Sequence, residues 1–244
     1  MSEEALLAIA DIEAGYQSGI DILQGLSLGA AENAVTLVIG PNGAGKSTLL
    51  RTIFGFLKPH SGSIRFRGRP IQGLEPAAIK ALGIGYVPQE INTFPLLTVE
   101  ENLRMGAWVF RRDGARLRRQ IERVYESFPV LAERRRRPAG DLSGGQGRML
   151  SVARELMVEP ALLLVDEPTA GLAPNLVEQV YELLIKARSE MGAAILLVDQ
   201  NIEDATPYAD YLYLVDLGRI KAEGAAREFS SERIRSLIRE CLLG

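Results

Sequence analysis

The feature that most constrains this chain is a glycine-rich stretch, Gly40-Pro41-Asn42-Gly43-Ala44-Gly45-Lys46-Ser47, with Thr48 directly after it. It lies between a nearly unbroken apolar run at 34–39 and a segment whose periodicity predicts a helix over 46–56. The stretch fits G-x-x-x-x-G-K-[ST], and a strand before it and a helix after it are the context that pattern requires. Glycines let backbone N–H groups turn inward around a phosphate where side chains would block them. The N-terminus of the following helix adds partial positive charge. In that arrangement Lys46 reaches the β- and γ-phosphates of a nucleotide, and the Ser47 hydroxyl ligates Mg²⁺.

The rest of the chain supplies partners for this unit. Segments 161–165 and 193–198 are also apolar runs, as parallel strands buried on both faces are. Shorter, partly alternating segments at 63–67 and 211–215 predict peripheral strands. Further helices are predicted over 99–109, 115–127, 145–158, 176–190 and 232–243. Thr98-Val99-Glu100-Glu101 is a capping box that opens the first of these. The expected fold is therefore an open α/β core interrupted by a helix-rich insert. The run at 161–165 ends in Asp166-Glu167. Asp166, at the carboxyl end of a buried strand beside the loop, is placed to hold Mg²⁺ through water. Glu167 points elsewhere and is the candidate general base for a water attacking the γ-phosphate.

Composition excludes several classes. With 244 residues, 47% hydrophobic and 24% charged, the chain is not disordered. No stretch of about 18 apolar residues is present to cross a membrane. The acidic start, Met1-Ser2-Glu3-Glu4, lacks the basic region of a secretory leader. A single cysteine, Cys241, makes no internal disulfide and fits a reducing compartment, so a cytoplasmic protein is expected. The net charge of −3 is unevenly spread: residues 88–155 hold 13 Arg, no Lys and 9 acids, a local 13 − 9 = +4. Within them, Arg134-Arg135-Arg136-Arg137 reads as a solvated helix end or loop. No aromatic residue interleaves with that run, which argues against nucleic acid as a partner. The only histidine, His60, lies in Lys58-Pro59-His60-Ser61-Gly62-Ser63, a turn.

A third motif, Leu142-Ser143-Gly144-Gly145-Gln146, opens a predicted helix ahead of Asp166-Glu167. In this order and spacing the three motifs resemble the ATP-binding-cassette ATPases, over essentially the whole chain. The resemblance implies a P-loop NTPase core with a mostly parallel sheet, an antiparallel β subdomain and an inserted helical subdomain. One domain of 1–244 would then hold the helical part at about 90–155, within a nucleotide-binding core of 1–89 and 156–244. It also implies that two cassettes, identical or different, pack head to tail. Ser143, Gly144, Gly145 and Gln146 of each would complete the ATP site of the other. Tyr16 matches an aromatic residue that stacks on adenine. Gln89, in Gly85-Tyr86-Val87-Pro88-Gln89, matches a glutamine that touches Mg²⁺ and links core to helical subdomain. The following Asn92-Thr93-Phe94-Pro95-Leu96-Leu97 matches the groove that receives a helix from a membrane permease, with Phe94, Pro95 and Leu97 as an exposed apolar socket. The implied assignments are nucleotide binding by Tyr16, Gly40 to Thr48, Gln89 and the Ser143 loop, metal binding by Ser47, Gln89 and Asp166, and catalysis by Lys46, Glu167 and Gln200.

Two positions depart from the family pattern. Gln200, in Asp199-Gln200-Asn201, stands where a histidine is usual; it donates a hydrogen bond but carries neither charge nor proton. Ala173 stands where an aspartate is frequent. Gln200-Asn201, Gly171-Leu172-Ala173-Pro174 and the segment 97–106 resemble the ATPases of importers for branched-chain amino acids, with relatives for urea and short amides. The chain is thus expected to sit on the cytoplasmic face of a membrane, held there through permease subunits. A DNA-repair or chromosome-type ATPase head needs a long coiled coil, and no sustained heptads are present. A P-loop kinase leaves the Ser143 loop without a role.

Overall fold

The structure, a computed structural model, describes residues 5–17 and 19–243; residues 1–4, which open the segment read as lacking a leader, lie outside it. In chain order its elements are β1 (Leu7–Ala14), β2 (Leu23–Ala30), β3 (Val35–Ile39), α1 (Lys46–Ile53), β4 (Ser61–Phe66), β5 (Arg69–Pro70), α2 (Pro76–Ala81), β6 (Ile84–Val87), α3 (Val99–Gly106), α4 (Gly114–Ser127), α5 (Pro129–Glu133), α6 (Gly144–Leu156), β7 (Leu162–Asp166), α7 (Pro174–Met191), β8 (Ala194–Val198), α8 (Ile202–Ala205), β9 (Tyr211–Asp216), β10 (Arg219–Ala225) and α9 (Ser231–Leu243). Among the described residues no helix is long and apolar enough to cross a membrane.

Two sheets organise them. The larger runs β10-β9-β3-β8-β7-β6, parallel throughout except for the β10 edge. The smaller is antiparallel, in the order β2-β1-β4-β5. β3, β7 and β8 are buried at every residue. Because strand side chains alternate between faces, each of these strands feeds two cores. Val35, Leu37 and Ile39 join one core with Leu163, Val165, Ile195 and Leu197, covered by α6 and α7. Val38, Leu162, Leu164, Leu196 and Val198 join the other, filled by α1 and the antiparallel sheet. This two-sided burial is why those segments carry no polar alternation.

The helices α3 to α6 all lie between β6 and β7, which are nonetheless hydrogen-bonded neighbours. A parallel pair needs a crossover, and here the crossover has grown into a layer of its own. Its apolar stripes (Val99 and Leu103, Leu117, Ile121 and Val124, Leu131, Leu150) join the first core. The arginine run is a turn after α5, and its backbone has a structural role. The carbonyls of Arg137 and Arg135 accept the N–H groups of Val99 and Glu100, two orphan donors of the first turn of α3. The expected helix over 46–56 stops at Ile53, because Gly55 turns the chain at φ +83 and a Cβ there would meet the Leu74 carbonyl oxygen at 2.3 Å.

Candidate nucleotide-binding site

The parallel strands all deliver their carboxyl ends to one edge of the larger sheet. In an open α/β sheet that edge is where ligands bind. β3 leads into the glycine loop, β6 into Gln89, β7 into Asp166-Glu167 and β8 into Asp199-Gln200. Together they enclose a cleft of about 420 Å³ lined by Ile22, Asn42, Gly43, Gly45, Lys46, Ser47, Thr48, Gln89, Glu167 and Gln200.

The loop's shape follows from its glycines at two places. A Cβ on Gly40 would strike the Val215 carbonyl oxygen at 2.1 Å, so only glycine lets β3 pass this close to β9. Gly45 holds φ +103 at the entrance of α1, a conformation L side chains resist. No side chain caps α1 and no acid stands in its first turn. Its orphan N–H groups and helix dipole are therefore left for an anion. Lys46 is buried at this point, its Nζ donating to the carbonyls of Gly40 (2.9 Å) and Pro41 (3.1 Å) and lying 3.8 Å from Glu167 Oε1. Ala44 faces inward with the second core rather than into the cleft.

The acids are held by neighbours that fix their roles. Ser47 Oγ donates to Asp166 Oδ1 at 2.9 Å, and Tyr86 OH donates to Oδ2 at 3.3 Å. Gln89 Nε2 donates to Glu167 Oε2 at 3.1 Å. Glu167 itself adopts φ +42, unusual for a side-chain-bearing residue, with its N–H donated to the Val198 carbonyl at 2.8 Å. Burial pushes the carboxyls of both Asp166 and Glu167 above the ordinary range, against the pull of Ser47 on the first and of Lys46 on the second. Burial likewise lowers the Lys46 ammonium, opposed by Glu167, Asp166 and Asp199. Burial beside Asp166 pushes the Tyr86 phenol up to about 12, so it stays a donor.

Ser47, Asp166 and Gln89 offer oxygen donors, which suit a hard cation such as Mg²⁺. Among the described residues no group of three or more His, Cys, Asp or Glu is arranged to hold a metal. The set therefore fits an ion that also takes oxygens from phosphate and water, as Mg²⁺ does.

Three expected groups lie outside the cleft. Tyr16 lines an adjoining hollow with Arg51, Phe56, Leu57, Tyr86 and Pro88, half-exposed, its hydroxyl accepting from Arg51 at 3.0 Å. Ser143, Gly144, Gly145 and Gln146 open α6 away from it. There Ser143 N donates to Gln146 Oε1 (3.2 Å) and Gln146 N to Ser143 Oγ (3.4 Å), a capping box that leaves the Ser143 hydroxyl proton free to donate outward. In the 92–97 segment, Phe94, Pro95 and Leu96 are exposed, Leu96 at 93%, whereas Leu97 is half-buried under a backbone bond to Ala139. The outermost apolar group is thus Leu96, not Leu97. His60 sits on a turn, its Nδ1 paired with Asp21 Oδ1 at 2.7 Å.

Sequence reasoning passed over Ile22, Tyr86, Arg51 and Arg148. Arg148, on α6, is 2% exposed and makes no direct ion pair among the described residues; its Nη1 donates to the Pro88 carbonyl at 2.7 Å and its Nη2 to that of Gln89. An arginine in a helix interior carries no sequence signal for this.

The family described as ABC transporter matches residues 23–170. The chain is 39% identical, over 91% of its length and 93% of the relative's, to the probable branched-chain amino acid transport ATP-binding protein LivF of Archaeoglobus fulgidus. It is 42% identical, over 84% of its length and 87% of the relative's, to the high-affinity branched-chain amino acid transport ATP-binding protein BraG of Pseudomonas aeruginosa. Among solved structures it resembles the dimeric post-hydrolysis state of an ATP-binding cassette bound to ADP and Pi. That match has a TM-score of 0.78 and 26% identity, over 91% of this chain and 100% of the other.

Proposed function

Because this chain belongs to the ABC transporter family and is one of its ATPases, we propose that it energises an importer for branched-chain amino acids, or for related amides or urea, through ATP-dependent pairing of two cassettes. The observation that carries the reading is the division of the site: Lys46, Ser47, Gln89, Glu167 and Gln200 line one cleft, with Asp166 bonded to Ser47 behind it, while Ser143 opens α6 and is not among the lining residues. A second cassette, the same chain or a paralogue, supplies the missing Ser143 loop.

In this mechanism the uncapped start of α1 and the loop N–H groups grip the terminal phosphates, with Lys46 as their cation. Ser47, Asp166 and Gln89 would hold Mg²⁺, which would supply charge neutralisation at the terminal phosphates. Glu167, anchored by Gln89, takes a proton from the attacking water. Gln200 donates a hydrogen bond toward the γ-phosphate. Tyr16 stacks on adenine at the edge of the adjoining hollow. Residues 90–155 act as a subdomain inserted into the core, and the Phe94-Pro95-Leu96 knob meets a permease helix on the cytoplasmic face of the membrane.

Glu167→Gln tests the reading. It should keep ATP binding, lower hydrolysis by about 10²–10⁴-fold, and yield an ATP-dependent dimer by light scattering. Monomers at high protein concentration with saturating MgATP would contradict it.

A further inference from the structure

The far end of α3 presents a surface that the nucleotide cleft does not use. Met105, in the last turn of α3, and Trp108 and Val109, in the short 3-10 turn that follows it, are 38%, 55% and 56% exposed. Trp108 is the chain's single tryptophan. The chain then turns through Arg111 and Arg112 into α4, whose first turns carry Arg116, Arg118 and Arg119. Residues 105–119 contain five arginines, no lysine and one acid, so 5 − 1 = +4, as large as the whole excess of 88–155. The one acid is engaged as a helix cap: Asp113 Oδ1 accepts the Arg116 N–H at 2.9 Å. Arg116 reaches Glu159 at 3.8 Å. Among the described residues no acid pairs with Arg111, Arg112, Arg118 or Arg119. Arg111 lies 4.4 Å over the Trp108 ring and Arg116 lies 4.3 Å over that of Phe110.

Four features select the partner. The tip lines neither the nucleotide cleft nor the Tyr16 hollow, and its exposed side chains suit a surface rather than a small ligand. A half-exposed indole with aliphatic neighbours is the composition found at the level of lipid headgroups. Unpaired guanidinium groups complement phosphate, often bidentately. A ring already covered by Arg111 does not offer the series of stacking platforms that nucleic acid uses. We propose that the 105–119 tip is a docking surface for the anionic headgroups of a lipid bilayer. It would press the insert onto the membrane beside the Phe94-Pro95-Leu96 knob. The knob is tied to the helix that leads to the tip: Asn102 of α3 accepts the Phe94 N–H at 2.8 Å and donates to the Phe94 carbonyl at 3.0 Å.

The vesicle titration needs neither permease nor nucleotide, so its failure leaves the ATPase reading standing. The full chain is titrated with phosphatidylglycerol vesicles while Trp108 fluorescence and co-sedimentation are followed. The expected result is a blue shift and sedimentation at low salt, both lost at about 0.5 M salt, where the screening length falls to a few ångströms. Phosphatidylcholine vesicles should give neither. Replacing Arg112, Arg118 and Arg119 together by Gln should weaken binding by about tenfold or more and leave ATPase activity unchanged. The proposal is overturned by no response to phosphatidylglycerol, by equal binding to phosphatidylcholine, by undiminished binding of the triple variant, or by a preference for duplex DNA over the vesicles.

Discussion

Glu167 is the residue on which chemistry and environment meet. Its carboxyl must be ionised to accept a proton, and burial raises its pKa above that of an ordinary glutamate. Activity should therefore fall as pH drops through a limb lying above the usual carboxylate range. A kcat–pH profile checks this; an acid limb at or below that of a free glutamate would contradict it. Gln200 does not titrate, so no second limb near the histidine range is expected, and Gln200→His should introduce one. Beside it, Asp199 is 1% exposed and makes no direct ion pair among the described residues, accepting instead from Tyr181 OH (2.9 Å), Thr169 Oγ1 (3.3 Å) and Asn201 N (2.8 Å). These bonds tie the turn after Glu167 to the Gln200 loop. Tyr181→Phe should cost about 1.5–3 kcal/mol in urea unfolding, the range for a hydrogen bond to a charged group.

Among the elements, α6 carries the strongest mechanical argument. Its N-terminus presents Ser143, its middle grips the carbonyls of Pro88 and Gln89 through Arg148, and its last turn reaches the Asn92 carbonyl through Arg154, whose guanidinium lies 5.4 Å from the Phe94 ring. One rigid rod thus joins the Ser143 loop, the Gln89 loop and the exposed knob. Arg148→Met should lower kcat more than it raises KM, and combining it with Gln89→Ala should cost little beyond Gln89→Ala alone. Additive losses would mean that Arg148 does not act through Gln89. A smaller effect belongs to α3: Thr98→Ala removes half of a capping box and should cost about 1 kcal/mol of stability.

At the scale of the molecule, the core strands were legible because burial on both faces left them uniformly apolar. β1 was not, because its alternation breaks where Asp11 takes φ +49 and the register with β2 slips between Ile9 and Ile12. β6 is four residues long and contains Gly85, kept small because a Cβ would meet Leu163 Cδ1 at 2.9 Å. Neither fact is visible in periodicity. The cleft residues next to a motif were legible. Ile22, which enters the cleft from the loop before β2, and Arg148, which grips the Gln89 loop from α6, were not, since neither belongs to a motif. The exposed socket was misplaced by one residue, Leu97 for Leu96, because a turn rather than a repeating element sets which side faces out.

The central claim is that the loop before Lys46 binds the terminal phosphates and that a second cassette closes the site with Ser143. The structure of Glu167→Gln with MgATP measures this directly. The account predicts phosphate oxygens at Lys46 Nζ and the first turn of α1, with a neighbouring cassette's signature loop over the γ-phosphate. Nucleotide bound elsewhere, or each Ser143 facing solvent with the γ-phosphate uncovered, would contradict it.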